Sequence, residues 1–190
     1  RSLGETLARM HSIPHAEYFP LDYRMGFVLF EEVIALSTRM GVGSPFRRLL
    51  SDEANHLRSI VSDVLPTGVL HGDLFPDNVI GESGRVCAIL DLEEAWIGPM
   101  CFDIAMAFVG FGWEENRPIS SRWGSLIQGY QSVRSLTDEE WGVMSEMHRY
   151  ATLAIACWRF WKHNLKEPEE RLSRRYLEMI DRLEVEFDFS

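Results

Sequence analysis

The run VLHGDLFPDNVIGESGRVCAILD, residues 69–91, constrains the fold more than any other part of this chain. Pro66-Thr67-Gly68 breaks the helical pattern before it. Val69-Leu70 is a short extended run, and a polar loop then carries His71, Gly72, Asp73, Pro76, Asp77 and Asn78. Val79-Ile80, the turn residues Glu82-Ser83-Gly84 and the β-type run 86–90 follow, ending on Asp91. Two such runs around a glycine turn predict a small hairpin with polar loops at its ends. Helical patterns flank it on both sides, so the sequence predicts an α+β class that is mostly α-helical.

Those patterns are regular. Leu3, Leu7, Met10 and Ile13 recur at helical spacing, and this first helix ends near Pro14. A polar connector (HAEYFPLDYR) leads to a second helix over 27–40, stopped by Gly41 and Gly43. Ser44-Pro45 predicts a helix entry. Leu49, Leu50, Ala54, Leu57, Ile60, Val61 and Val64 carry that helix to about residue 65. Past the hairpin, helices are expected at 102–109, 119–133, 137–163 and 168–186, the third opened by a capping box from Thr137 to Glu140. The nearly uncharged run 95–113 contains Gly98, Pro99, Asp103, Gly110 and Gly112, which make it a buried helix with broken ends and not a membrane span. No repeat or linker divides the chain, so residues 1–190 read as a single lobe.

With 46% hydrophobic residues, 190 residues suffice to bury a core. The formal net charge of -10 disfavours a nucleic-acid partner, which needs clustered Lys and Arg, and suits a cationic or zwitterionic small molecule. Cys87, Cys101 and Cys157 are odd in number and lack metal-ligand spacing. They read as free thiols in a reducing, cytoplasmic setting. The opening RSLGETLARMHSI has no signal-peptide pattern and no initiator Met, so residues are expected to precede it.

Hairpin pairing would bring Asn78 and Asp91 into one neighbourhood, with Asp73 on the loop beside them. Two carboxylates and an amide oxygen are hard donors that suit Mg²⁺ and not zinc. A carboxylate outside the metal's reach can accept the proton of a substrate hydroxyl. A base Asp, a loop Asn and a strand-end Asp are the parts of phosphoryl transfer. Each has a plainer reading too: Asp77-Asn78 as an Asx turn, Asp91 as a strand terminator.

HGDLFPDN followed by AILD resembles the catalytic loop and metal-binding Asp of the aminoglycoside phosphotransferase and choline kinase superfamily, and GVLHGDLFPDNVI most resembles its type II homoserine kinase branch. LGETLARMHSI and TLAIACWRFWKHNL are similar in kind to flanking helices of that branch. The resemblance implies the C-terminal lobe of a protein-kinase-like fold with a small central β-hairpin. It implies Asp73 as catalytic base, with Asn78 and Asp91 holding Mg²⁺ on ATP. It further implies His71 as structural support of the loop and Asp103 as a brace for its backbone. Capping of its own helix remains an open reading for Asp103. Leu92-Glu93-Glu94 replaces the Phe-Gly of protein kinases, and a Glu two residues past the metal Asp also resembles choline-kinase-like members.

Glu93, Glu94 and Trp96 are candidates for an acceptor pocket that pairs with a substrate ammonium; a solvated acidic face is the other reading. Trp113, Glu114 and Glu115 are remoter candidates. Trp158 and Trp161 share a helix face and read as core. His11, His15, His56, His148 and His163 show no metal spacing and receive no role. No glycine-rich phosphate loop and no Lys–Glu pair is visible, so the nucleotide lobe is read as absent from this chain, which alone would bind ATP weakly and turn over poorly. The expected activity is transfer of phosphate from ATP to the hydroxyl of a small amine-bearing metabolite, homoserine first, with choline, ethanolamine or an aminoglycoside as alternatives. A non-catalytic binding module of the same fold is one rival. A metal-dependent phosphohydrolase using His71, Asp73 and Asp91 as ligands is another.

Overall fold

A computed structural model describes residues 1–14, 19–61 and 64–190. Part of the connector expected after the first helix (15–18) and part of the expected end of the third (62–63) lie outside the described residues. Three helices come first: α1 (Ser2–His11), α2 (Phe27–Met40) and α3 (Ser44–Arg58). Gly41, at φ 67°, closes α2 as a left-handed cap. Pro45 sits in the first turn of α3, which stops at Arg58 and not near 65; the Ser59 hydroxyl donates to the His56 carbonyl at that end.

Strand β1 (Thr67–Leu70) follows, then a single 3₁₀ turn (Pro76–Asn78) and the hairpin β2 (Val79–Glu82) and β3 (Arg85–Ile89). The hairpin pairs Val79 with Ile89 and has a bulge between Ile80 and Gly81. Ser83 (φ 52°) and Gly84 (φ 77°) form its tip, and positive φ at both positions is what a tight two-residue hairpin turn requires. The expected hairpin therefore forms. Strand β4 (Trp96–Pro99) was not anticipated, because Gly98 and Pro99 read as breakers. It pairs antiparallel with β1, Leu70 opposite Trp96. Residues 96–99, at the broken end expected before the helix at 102–109, thus belong to a two-stranded sheet.

Past β4 the regular structure is helical apart from a short ribbon, β5 (Trp113–Glu114) with β6 (Arg117–Pro118). Helix α4 (Met100–Phe111) is buried at every residue from Met100 to Val109 and packs on α7 (Met144–Phe160), so the two form the centre of the core. Between them lie α5 (Ser120–Gln131), packed on α1, and α6 (Asp138–Gly142), whose Thr137/Glu140 capping box is fully formed. The single helix expected over 137–163 is broken at Val143 into α6 and α7. It ends in a π-helical turn, Trp161–Lys166. The helix expected over 168–186 is confined to α8 (Leu177–Leu183). Side chains from elsewhere take the carbonyls ahead of it: Asn164 donates to Ser173 O and Arg159 to Arg175 O. Among the described residues no helix is long and apolar enough to cross a membrane. The architecture is thus mostly helical with small two-stranded sheets, the class the sequence predicts.

Candidate active site

The loop between β1 and β2 hangs from two fully buried anchors, Leu70 and Leu74. Between them Gly72 takes φ 80°, where a Cβ would lie 2.6 Å from the Glu94 carbonyl oxygen. Only glycine fits both the backbone angle and the gap. The amides this conformation frees point at one side chain. Asp103 Oδ2 accepts from the His71 N–H at 2.7 Å, and Oδ1 accepts from the Gly72 N–H at 2.9 Å. Asp103 belongs to the first turn of α4, yet none of its bonds serves that helix; it braces the loop. Burial works to raise its carboxyl, but the bonds from His11 and the two amides outweigh burial and hold it below the usual carboxylate range.

His71 ties the loop to the hairpin. Its Nε2 lies 2.8 Å from the Leu90 carbonyl and its Nδ1 lies 3.2 Å from the Asp73 N–H. A carbonyl can only accept and an amide N–H only donate, so the ring is neutral with the hydrogen on Nε2. Both nitrogens are thereby used, which removes His71 as a metal ligand. Among the described residues no group of three His, Cys, Asp or Glu side chains is arranged to hold a metal by itself. The ligand set of a phosphohydrolase is not assembled.

Asn78 closes the loop. Its Nδ2 donates to the Asp73 carbonyl at 2.8 Å and faces Asp73 Oδ2 at 3.5 Å, while its own carbonyl accepts from the Leu90 N–H at 2.9 Å. The amide nitrogen is committed to Asp73, leaving Oδ1 for another partner. Asp91 follows Leu90 with φ 59°, a left-handed turn that ends the strand direction of β3 and leaves its carboxylate exposed. Asp73, Asn78 and Asp91 line one cleft of about 380 Å³. Burial is the larger cause that pushes the half-buried Asp73 carboxyl up, and the charges of Glu94 and Asp91 push the same way. Two carboxylates and a free amide oxygen around one cleft fit a hard divalent cation that also binds phosphate oxygens.

Glu93 and Glu94 line the same cleft, Glu94 forked to Arg24 through both carboxylate oxygens, with Nε to Oε2 at 2.9 Å. Trp96 does not reach it. Its indole is buried, stacked on Tyr23 at 5.4 Å and edge-on to Phe102, as β4 pairing turns it inward. Trp113 and Glu114 do not line it either; Trp113 belongs to a different cavity, near α5. Trp158 and Trp161, read as core from their spacing, line a second cavity of about 550 Å³. It adjoins the first and shares Arg24, Glu93, Glu94 and Trp158 with it. The two indoles do share a face, as their spacing predicts, but that face is only half-buried and opens on the cavity. Tyr23 was also missed: its hydroxyl donates to the Gly72 carbonyl at 2.6 Å, and nothing in the connector sequence signals that contact.

Residues 1–136 match a known family, described as "Phosphotransferase enzyme family". The chain belongs to the phosphotransferase enzyme family. A homoserine kinase of Granulibacter bethesdensis is 28% identical to it over 181 residues, covering 91% of this chain and 55% of the relative. A crystal structure of a choline/ethanolamine kinase family protein from Mesorhizobium loti superposes with a TM-score of 0.73 at 16% identity. It covers 97% of this chain and 60% of the other. The choline kinase LicA from Streptococcus pneumoniae, in complex with AMP, gives 0.60 at 14% identity, over 95% of this chain and 60% of that one. The chain spans about half the length of the curated relatives it matches.

Proposed function

We propose that this chain is the catalytic-loop-bearing lobe of an ATP- and Mg²⁺-dependent kinase that phosphorylates the hydroxyl of a small amine-bearing metabolite, homoserine first. The carrying observation is the convergence of Asp73, Asn78 and Asp91 on one cleft, with Asn78 bonded to Asp73. Asp73 accepts the acceptor's hydroxyl proton as the oxygen attacks the γ-phosphorus in line. Asn78 Oδ1 and the Asp91 carboxylate would hold Mg²⁺, which supplies charge neutralisation on the phosphate oxygens. Support for a second, nucleotide-covering lobe comes from the exposure of Asp91 and Leu92 and from the half-length span. The three free thiols agree with a cytoplasmic enzyme.

The two adjoining cavities favour a zwitterionic acceptor. Glu93 and Glu32 are exposed acids that suit an ammonium. Lys162 and Lys166, lying over Trp158 at 5.1 Å and Trp161 at 4.5 Å, suit a carboxylate. The two indoles also support a second reading, choline or ethanolamine, since an indole face attracts a quaternary ammonium. A screen of the full-length protein with Mg-ATP against homoserine, choline, ethanolamine and an aminoglycoside decides between them by ADP release and product mass. Phosphohomoserine is the expected product. ADP release no faster with any alcohol than with water would sink the kinase reading and leave the binding module.

A further inference from the structure

The Asp103 brace is itself held from behind. His11, the last residue of α1, is buried at 4% exposure and places Nε2 3.2 Å from Asp103 Oδ2. Its Nδ1 lies 2.8 Å from the Tyr130 hydroxyl on α5. Arg134 Nη1 approaches that hydroxyl at 3.3 Å and is itself clamped by the fully buried Glu140 at 3.0 and 2.9 Å. Hydrogen-bond direction is set at the two ends of this chain. Arginine has no acceptor, so the Tyr130 oxygen accepts from Arg134, and the Asp103 carboxylate only accepts, so His11 Nε2 carries a hydrogen toward it. With the Tyr130 hydrogen turned to His11 Nδ1, every group in the chain is satisfied. Nothing in the phosphotransferase chemistry above uses these groups.

We propose that His11 is a positioning residue: its Nε2–H fixes the Asp103 carboxylate so that both oxygens clamp the His71 and Gly72 amides, and Tyr130 sets the tautomer that makes this possible. The catalytic loop is thereby held from α1 and α5, two helices that do not line its cleft. His11 touches no atom that reacts. Without the third bond Asp103 Oδ2 is free to turn, and the position of Asp73 relative to Asn78 loosens, although the cleft's own side chains are unchanged.

The test uses the full-length protein with His11→Leu, His11→Gln and Tyr130→Phe. Gln can return a donor near the place of Nε2, Leu cannot, and Phe removes only the hydroxyl. Amide hydrogen exchange is read by NMR at His71 and Gly72 and across α4 and α7, alongside kcat and KM. In His11→Leu the two loop amides should lose about tenfold to a hundredfold protection, the scale of one hydrogen bond to a charged group, while the α4 and α7 amides hold. Turnover should fall by a similar factor at unchanged KM for ATP, and His11→Gln should recover most of both losses. Loop amides as protected as in the wild type would overturn the assignment. So would a loss spread equally through α4 and α7, or a Gln variant no better than Leu. If the Leu variant fails to fold, Tyr130→Phe decides: a smaller loss at the same two amides supports the role, and unaltered protection refutes it. The kinetic half rests on the proposed function. A wild-type protein without phosphotransfer would end that reading, while the exchange result would still judge His11.

Discussion

Asp73 carries the chemistry in the proposed mechanism, and its surroundings say which substitution isolates that role. Its carboxylate faces Asn78 Nδ2, and its own N–H is held by His71, so Asp73→Asn changes the charge and leaves the loop bonds in place. We expect kcat to fall by about 10²–10⁴-fold, the range for removing a positioned base, with the Kd for Mg-ATP kept within a few-fold. Steady-state kinetics and calorimetric titration of the full-length protein measure the two. Equal loss of turnover and nucleotide binding would show that Asp73 holds the nucleotide and is not the base. At this scale the site was largely legible: Asp73, Asn78 and Asp91 lie within one local unit whose pairing the β-pattern announces. His11 and Tyr23 were not, because their bonds cross 92 and 49 residues of sequence and end on groups that carry no pattern of their own. Trp96 was misplaced because the strand that turns it inward was itself hidden behind Gly98 and Pro99.

The loop between β1 and β2 is the element on which the site depends, and Gly72 is its narrowest point. An alanine there must hold φ near 80° and push its Cβ against the Glu94 carbonyl, which is main chain and cannot simply swing aside. Gly84 at the hairpin tip has nearly the same φ, 77°, and a Cβ there would meet nothing within 4 Å. The pair therefore separates backbone strain from crowding. Gly84→Ala should cost about 1 kcal/mol from strain alone, and Gly72→Ala about 2–4 kcal/mol, with a loss of turnover that Gly84→Ala does not show. Urea unfolding of both variants measures the difference; equal costs would mean that Glu94 yields freely. Among the elements, α1, α2 and the hairpin followed from apolar periodicity and turn residues. The break at Val143 and the short α8 did not; ahead of α8, the side chains of Asn164 and Arg159 take the Ser173 and Arg175 carbonyls, and no local pattern announces either bond.

At the scale of the whole molecule, the aromatic cluster around α7 buries a histidine, His148, whose Nε2 makes no hydrogen bond. His148, on α7, lies between Trp113, Phe108 and the tail residue Phe189. Burial, with Arg182 as a secondary cause, lowers its pKa from 6.5 to about 3. The folded protein therefore keeps this ring neutral while the unfolded chain protonates it near pH 6.5. Stability from the neutral ring is complete above pH 6.5 and is lost as pH falls from there toward 3, at up to about 1.4 kcal/mol per pH unit. Ordinary carboxylates titrate below pH 5, so histidine contributes most of the slope between pH 6.5 and 5. The histidine paired with a carboxylate at the surface, His56 beside Glu146, is exposed, and such a pair contributes little. Chemical unfolding across pH 5–7 should show wild-type stability declining with acid, and His148→Leu should flatten that decline while leaving stability at pH 7 unchanged or higher. The Phe187–Phe189 tail covers the same aromatic cluster, so its NMR resonances should broaden first in the wild type on acidification and hold in the Leu variant. A slope identical in both proteins would mean that His148 already reaches water in the folded state.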